Sequence, residues 1–250
     1  MPPIAIQLYT PRAQLAENYE NIIRQIAAMG YRGVETAGMY GESPAYAARL
    51  FHELGLQVTS MHAPMPMLDN MNQIIDVAKT FGIQRVVCPW YPPERFAKRE
   101  DVRVICDELN QANAKLRAQN LELHYHNHWQ ECAMLDGKLV YQHMLDLLDP
   151  NIGFELDVYW AKTAGLDPAH VVRELGKRAP LLHIKDGPTT MDGDMTAAGD
   201  GVVDLRALAD ASQSTADWWI VELDRCATDM LTAVQKSYTY LTQNGMAYGK

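Results

Sequence analysis

Leu121-Glu-Leu-His-Tyr-His-Asn-His-Trp-Gln-Glu131 alternates polar and apolar residues with a period of two. As a strand it turns Leu121, Leu123 and Tyr125 one way and Glu122, His124, His126 and His128 the other, so one face packs and the opposite face is free for chemistry. The same pattern recurs in three later stretches. Phe154, Leu156 and Val158 oppose Glu155, Asp157 and Tyr159. Leu182 and Ile184 oppose His183 and Lys185. Trp219, Val221 and Leu223 oppose Glu222 and Asp224. Helical spacing separates these strands, which predicts a parallel sheet covered by helices, with the polar faces converging inside it.

Working outward, the first half of the chain repeats the unit. Ile4–Tyr9 precedes a helix marked by Leu15, Tyr19, Ile22, Ile23 and Ile26, with Gly30 as its C-terminal cap. Gly33–Thr36, Val58–His62 and Arg85–Trp90 are further strands, and helices are expected over about 44–54, around 71–81 and over about 93–119. After the strand near 121–128, strands near 152–158, 181–185 and 218–223 alternate with helices near 139–148, 168–177, 204–212 and 228–243. Eight β/α units in 250 residues predict an α/β chain folded as a single (β/α)8 TIM barrel, one domain over residues 1–250. The one long irregular segment, Asp186 to Val203, follows the seventh strand, and a loop of that length is usually functional.

Composition narrows the function. A hydrophobic content of 48% supports a substantial core, and a net charge of −9 without any basic run argues against a nucleic-acid partner. No apolar run approaches the roughly 20 residues needed to cross a bilayer, and the N-terminus opens no charged, apolar-cored leader. Cys88, Cys106, Cys132 and Cys226 are scattered without a CxxC pair, which suits free, packed thiols in a reducing compartment. A soluble cytoplasmic protein with a small-molecule partner is expected, without membrane association, and with assembly into a homo-oligomer left open.

Active sites of such barrels lie at the C-terminal ends of the strands. The inward candidates there are Gln7, Tyr9, Glu35, His62, Trp90, the 124–131 group, Asp157, His183, Lys185 and Glu222. Buried unpaired charges are costly, so a cluster of carboxylates and histidines needs a cation or partners to neutralise it. Asp157, His183 and Glu222 end consecutive strands and can meet at one point, in a site suited to Mn²⁺, Mg²⁺, Co²⁺ or Fe²⁺ as well as Zn²⁺. The fifth strand should add a fourth ligand: Glu131 supplies an oxygen but lies past the strand, whereas His126 is better placed by alternation. Glu155 is read as an ion-pair partner at the barrel bottom, and His52, His143 and His170 as surface residues on helices. Asp224 can orient a ligand on the face of Glu222, and Lys185-Asp186 is either a substrate clamp or an internal salt bridge.

Tyr-His-Asn-His at 125–128 with Glu131, Glu-Leu-Asp-Val-Tyr-Trp at 155–160, Leu-His-Ile-Lys-Asp at 182–186 and Val-Glu-Leu-Asp at 221–224 resemble the sugar phosphate isomerase/epimerase family, the xylose-isomerase-like TIM barrels. Gly33-Val-Glu35, Ser60-Met-His62 and Gly199-Asp-Gly-Val-Val-Asp204 extend the resemblance over nearly the whole chain. The resemblance implies a divalent metal, most often Mn²⁺, held by Glu131, Asp157, His183 and Glu222. It also implies isomerisation or epimerisation of a sugar or sugar derivative by proton transfer next to a carbonyl, through a metal-stabilised enediolate. Glu222 with Glu131 or His126 would form the acid/base pair, and Glu35, His62, Trp90 and Lys185 would orient hydroxyls. The chain departs from ketose epimerases of this superfamily, which carry a glutamate within the fifth strand where it carries histidines. A His-rich strand is closer to relatives that dehydrate inososes or eliminate from 3-keto glycosides, which makes a metal-dependent lyase the second expectation and a non-catalytic sugar-binding barrel the third. The multi-zinc histidine set of the superfamily's AP endonucleases is not found near Asp157 or Glu222.

Overall fold

A computed structural model describes residues 1–250 of the chain. Ten strands are formed: β1 (Ile4–Gln7), β2 (Gly33–Thr36), β3 (Gln57–His62), β4 (Arg85–Cys88), β5 (Glu122–His126), β6 (Met134–Leu135), β7 (Lys138–Leu139), β8 (Gly153–Asp157), β9 (Leu181–Ile184) and β10 (Trp218–Val221). All but β6 and β7 pair in parallel into a closed barrel, and those two make a short antiparallel hairpin outside it. The (β/α)8 barrel expected from the alternating patterns is the fold observed. No helix is long and apolar enough to cross a membrane.

Helices fill the crossovers: α1 (Arg12–Met29), α2 (Pro44–Glu53), α3 (Met71–Phe81), α4 (Arg99–Arg117), α5 (Val140–Leu147), α6 (Val158–Thr163), α7 (Pro168–Leu175), α8 (Leu205–Ser212) and α9 (Met230–Gln243). Local chemistry sets their ends. Ser43 and Asp167 cap helices whose first turns carry Pro44 and Pro168, while Gly30 closes α1 in the left-handed region with φ of 102°. The helix expected over about 93–119 is divided, a 3-10 turn at Pro93–Phe96 preceding α4.

Two apolar regions hold the barrel. The larger lies between sheet and helices and includes Ile6, Val34, Tyr125, Phe154, Leu182 and Trp219. The smaller is a plug of Ala5, Val87, Leu181 and Ile220, with Trp218 against it, formed by residues that alternate with the outer set. Above this plug the inward positions are polar, so the barrel has an apolar floor and an ionisable ceiling.

The long segment after β9 is fixed in place. Asp186 accepts hydrogen bonds from the backbone N–H groups of Gly187, Gly199, Gly201 and Val203 at 2.8–3.2 Å. A Cβ on Gly201 would stand 2.1 Å from both Asp186 Oδ1 and Gly187 N, so this turn admits only glycine. Asp186 therefore ties the loop and forms no pair with Lys185.

His143 departs from its expected surface position. It is buried on α5, and its Nε2 lies 2.7 Å from the Leu135 carbonyl of the small hairpin. Helical spacing carried no sign of that hairpin folding over it. His52 and His170 are exposed, as expected.

Candidate active site

The eight strands open at their C-terminal ends into a cavity of about 550 Å³ lined by Tyr9, His62, Trp90, His126, Lys185 and Glu222, among others. Pairing registers bring these side chains together. His126 lies opposite Glu155 on β8, and Asp157 lies opposite His183 on β9. Alternation then points all four inward, and Glu222, just past β10, joins them.

At the cavity floor, one donor atom each from His126, Asp157, His183 and Glu222 lies within 4.8 Å of the others. Asp157 performs two tasks. Its Oδ1 accepts from the Trp160 N–H at 2.9 Å and so starts α6, which leaves Oδ2 turned to the cluster without a hydrogen-bond partner. The Lys185 ammonium meets that oxygen as an ion pair at 2.9 Å and Glu222 Oε2 at 2.7 Å.

A second donor set lies beneath the first, made of His62, His126, Glu155 and His183. Its centre is Glu155, whose Oε2 lies 2.8 Å from His62 Nε2, 3.0 Å from His183 Nε2 and 3.2 Å from His126 Nδ1. Glu155 thus sits among three histidines directly beneath the cavity-floor donors, which corrects its expected place as an ion-pair partner at the barrel bottom. Glu35 joins from β2, accepting from Gln7 Nε2 at 2.7 Å and Ser60 Oγ at 2.6 Å and meeting His183 Nε2 at 2.6 Å. It is fully buried beneath the cavity floor and does not line the cavity.

His183 links the tiers. Its Nδ1 lies 2.6 Å from Glu222 Oε2 above, and its Nε2 meets Glu35 and Glu155 below. A neutral imidazole has one lone pair, so the ring can hold a cation in only one tier while donating N–H into the other. Carboxylates on one side of a histidine and an open donor set on the other are the usual arrangement around a ligating imidazole.

Burial and charge set the protonation states. Burial alone would push His183 down, but Glu155, Glu222 and Glu35 hold it well above the ordinary histidine range. His126, buried and facing His183, is pushed down to about 3 and stays neutral. Burial raises Asp157 to about 6 against the pull of Lys185 and His183. For Glu222, burial is outweighed by Lys185 and His183, which keep the carboxyl well below its usual range. Glu155 is likewise held low, chiefly by His183 and His62 against its burial.

These observations bear on whether a divalent ion fits. Asp157 Oδ2 makes no polar contact beyond its ion pair with Lys185 and the facing His126 ring, whose Nε2 lies 3.9 Å away, His126 is neutral, and Asp157 and Glu222 add anionic oxygens. The four donor atoms lie within 4.8 Å of one another and mix imidazole nitrogen with carboxylate oxygen, the ligand types a divalent ion takes. The donor set fits.

Glu131 is not brought to the cluster. The chain turns at Gln130–Cys132, and the Glu131 carboxylate accepts from the Tyr125 hydroxyl and from the His128 N–H at 2.8 Å. Tyr125 packs on the outer face of β5, so Glu131 lies behind the strand, and burial raises its carboxyl to about 7. The expected placement of Glu131 with Asp157, His183 and Glu222 is corrected: the fifth-strand donor beside them is His126. Of the other expected residues, His62, Trp90 and Lys185 line the cavity. Sequence reasoning missed Tyr40 and Gln73 on its wall; neither lies on a strand, and no pattern marked them.

The family model described as xylose isomerase-like TIM barrel matches residues 23–241. No curated protein sequence matches the chain. Among solved structures, a sugar phosphate isomerase/epimerase from Parabacteroides distasonis ATCC 8503 superimposes with a TM-score of 0.86 at 22% identity, covering 99% of this chain and all (100%) of the other. The D-allulose 3-epimerase from a Methylomonas species gives a TM-score of 0.73 at 15% identity, covering 97% of each chain. The probable 3-DHS dehydratase AsbF from Bacillus anthracis gives 0.76 at 14% identity, covering 96% of this chain and 98% of its own. At these identities the likeness is one of fold.

Proposed function

The chain belongs to the xylose isomerase-like TIM barrel family, and we propose that it is a divalent-metal-dependent enzyme that moves a proton next to a carbonyl on a sugar or sugar derivative, as an isomerase or epimerase. One observation carries the reading: His126, Asp157, His183 and Glu222 converge on one point at the floor of an open cavity of about 550 Å³. That volume suits a small sugar.

An ion held by those four residues would supply Lewis acidity toward the carbonyl oxygen. The remaining work belongs to the chain. Glu222 is the one carboxylate of the donor set that lines the cavity, so it is assigned as the base that takes the proton. Glu155 and Glu35 accept from His183 and fix its ring. His62 and Lys185 offer hydrogen bonds to substrate hydroxyls, and Trp90, 43% exposed at the rim, offers a flat apolar face to the sugar ring. His126, neutral and deeply set, is assigned to the metal and not to proton transfer.

A second reading, a lyase or dehydratase acting on an inosose or 3-keto glycoside, is favoured by His126 itself. Two imidazoles and two carboxylates admit Zn²⁺ or Fe²⁺ alongside Mn²⁺, Mg²⁺ and Co²⁺. Both readings begin with proton removal beside a carbonyl. The single barrel domain over residues 1–250 would act on a small molecule in the cytoplasm, in keeping with four free cysteines.

The test is NMR of ketoses, aldoses, inososes and 3-keto glycosides incubated with the protein in D₂O. Deuterium entering one carbon beside the carbonyl, without loss of a group, supports the isomerase or epimerase. Deuterium with elimination supports the lyase. Tight binding of a sugar without exchange at any carbon contradicts both.

A further inference from the structure

Lys185 stands where a bound cation would stand. Its ammonium lies 2.7 Å from Glu222 Oε2 and 2.9 Å from Asp157 Oδ2, two of the four donors at the cavity floor. The same nitrogen lies 3.0 and 3.1 Å from the two oxygens of Asp224. Lys185 is 1% exposed, so its charge is balanced entirely by these carboxylates. Asp224 is the outermost of the three, with a side chain 24% exposed, whereas Asp157 is fully buried.

We infer that Lys185 is the internal counter-cation of the metal site: its ammonium and a divalent ion compete for Asp157 and Glu222, and Asp224 is the carboxylate that keeps Lys185 when the ion takes them. The inference rests on the metal-dependent reading above. Its physical basis is that two cations cannot share the same pair of buried oxygens without strong repulsion, since Coulomb interactions are poorly screened away from water. A site with no cation would set the buried Asp157 and Glu222 against each other. Lys185 removes that penalty before a metal arrives, and the bidentate contact with Asp224 gives the ammonium a partner that does not belong to the donor set. Asp224 is therefore a positioning residue for metal exchange and touches no substrate.

The experiment measures Mn²⁺ affinity, from free Mn²⁺ by electron paramagnetic resonance, in the wild type, K185M, D224N and the double variant, with folding checked by circular dichroism. K185M should bind Mn²⁺ about tenfold or more tighter than the wild type, because the competing charge is gone. D224N should weaken binding by about tenfold in the wild-type background and by less than about threefold in the K185M background, the mark of coupling between the two positions. Should K185M fold poorly, K185Q keeps a hydrogen-bonding side chain without the charge and carries the same expectation. Equal or weaker affinity in the folded Lys185 variant, or a D224N effect of the same size in both backgrounds, overturns this inference and leaves the metal site standing. Absence of Mn²⁺ binding in every variant overturns the metal reading and the inference with it.

Discussion

The hydroxyl of Tyr125 donates to the carboxylate of Glu131 and holds it on the outer side of β5, with its back to the donor cluster that His126 faces from the same strand. One strand thus separates a structural carboxylate from a chemical imidazole. Burial raises Glu131 to about 7, with Tyr125 and the His128 N–H pulling it partly back. The folded carboxyl keeps its proton to higher pH than the unfolded one, so the folded state binds more protons and stability falls as pH rises from about 4.5 to about 7. E131Q removes this ionisation. Denaturant unfolding of both proteins should show the variant gaining on the wild type by on the order of 3 kcal/mol between pH 4 and pH 8. A stability gap that does not change with pH would show that Glu131 is not buried as described.

Much of the fold could be read from period alone. Strands in a parallel barrel alternate inward and outward residues, helices repeat every 3.6, and both signals survive in a single sequence. Asp157, His183, Glu222 and His126 were legible for that reason. Three features were not. Glu131 lies after the alternation ends, where its direction depends on the turn at Gln130–Cys132 and on a partner on the outer face of β5. Glu155 could be read as inward, but its depth follows from the strand stagger that sets it opposite His126 and Leu181. His143 is covered by a two-residue-strand hairpin too short to leave a pattern.

Glu222→Gln should leave the fold intact, since the amide oxygen can still face Lys185, yet lower turnover by about 10²-fold or more because the amide cannot accept a proton near neutral pH. Rates measured on whichever substrate shows deuterium exchange, alongside circular dichroism, decide this. Turnover within a few-fold of wild type would remove Glu222 from its role as base.

Gly201→Ala should loosen the segment that follows β9. Its Cβ would collide with Asp186 Oδ1 and Gly187 N, both at 2.1 Å, and the surrounding backbone bonds to Asp186 would have to give. A cost of about 1–3 kcal/mol is expected, read as a fall in Tm of roughly 2–4 °C for each kcal/mol. An unchanged Tm would mean that the loop is not pinned by Asp186.

The claim on which the rest depends is that His126, Asp157, His183 and Glu222 hold one divalent ion. Elemental analysis of the protein purified from metal-supplemented medium tests it directly, comparing the wild type with His126→Ala, Asp157→Asn and Glu131→Gln. The account predicts about one ion per chain in the wild type and in Glu131→Gln, and little or none in the other two, because those remove donors of the convergent set while Glu131 lies behind the strand. A metal-free wild type, or a Glu131→Gln protein that loses its metal while His126→Ala keeps it, would contradict the account.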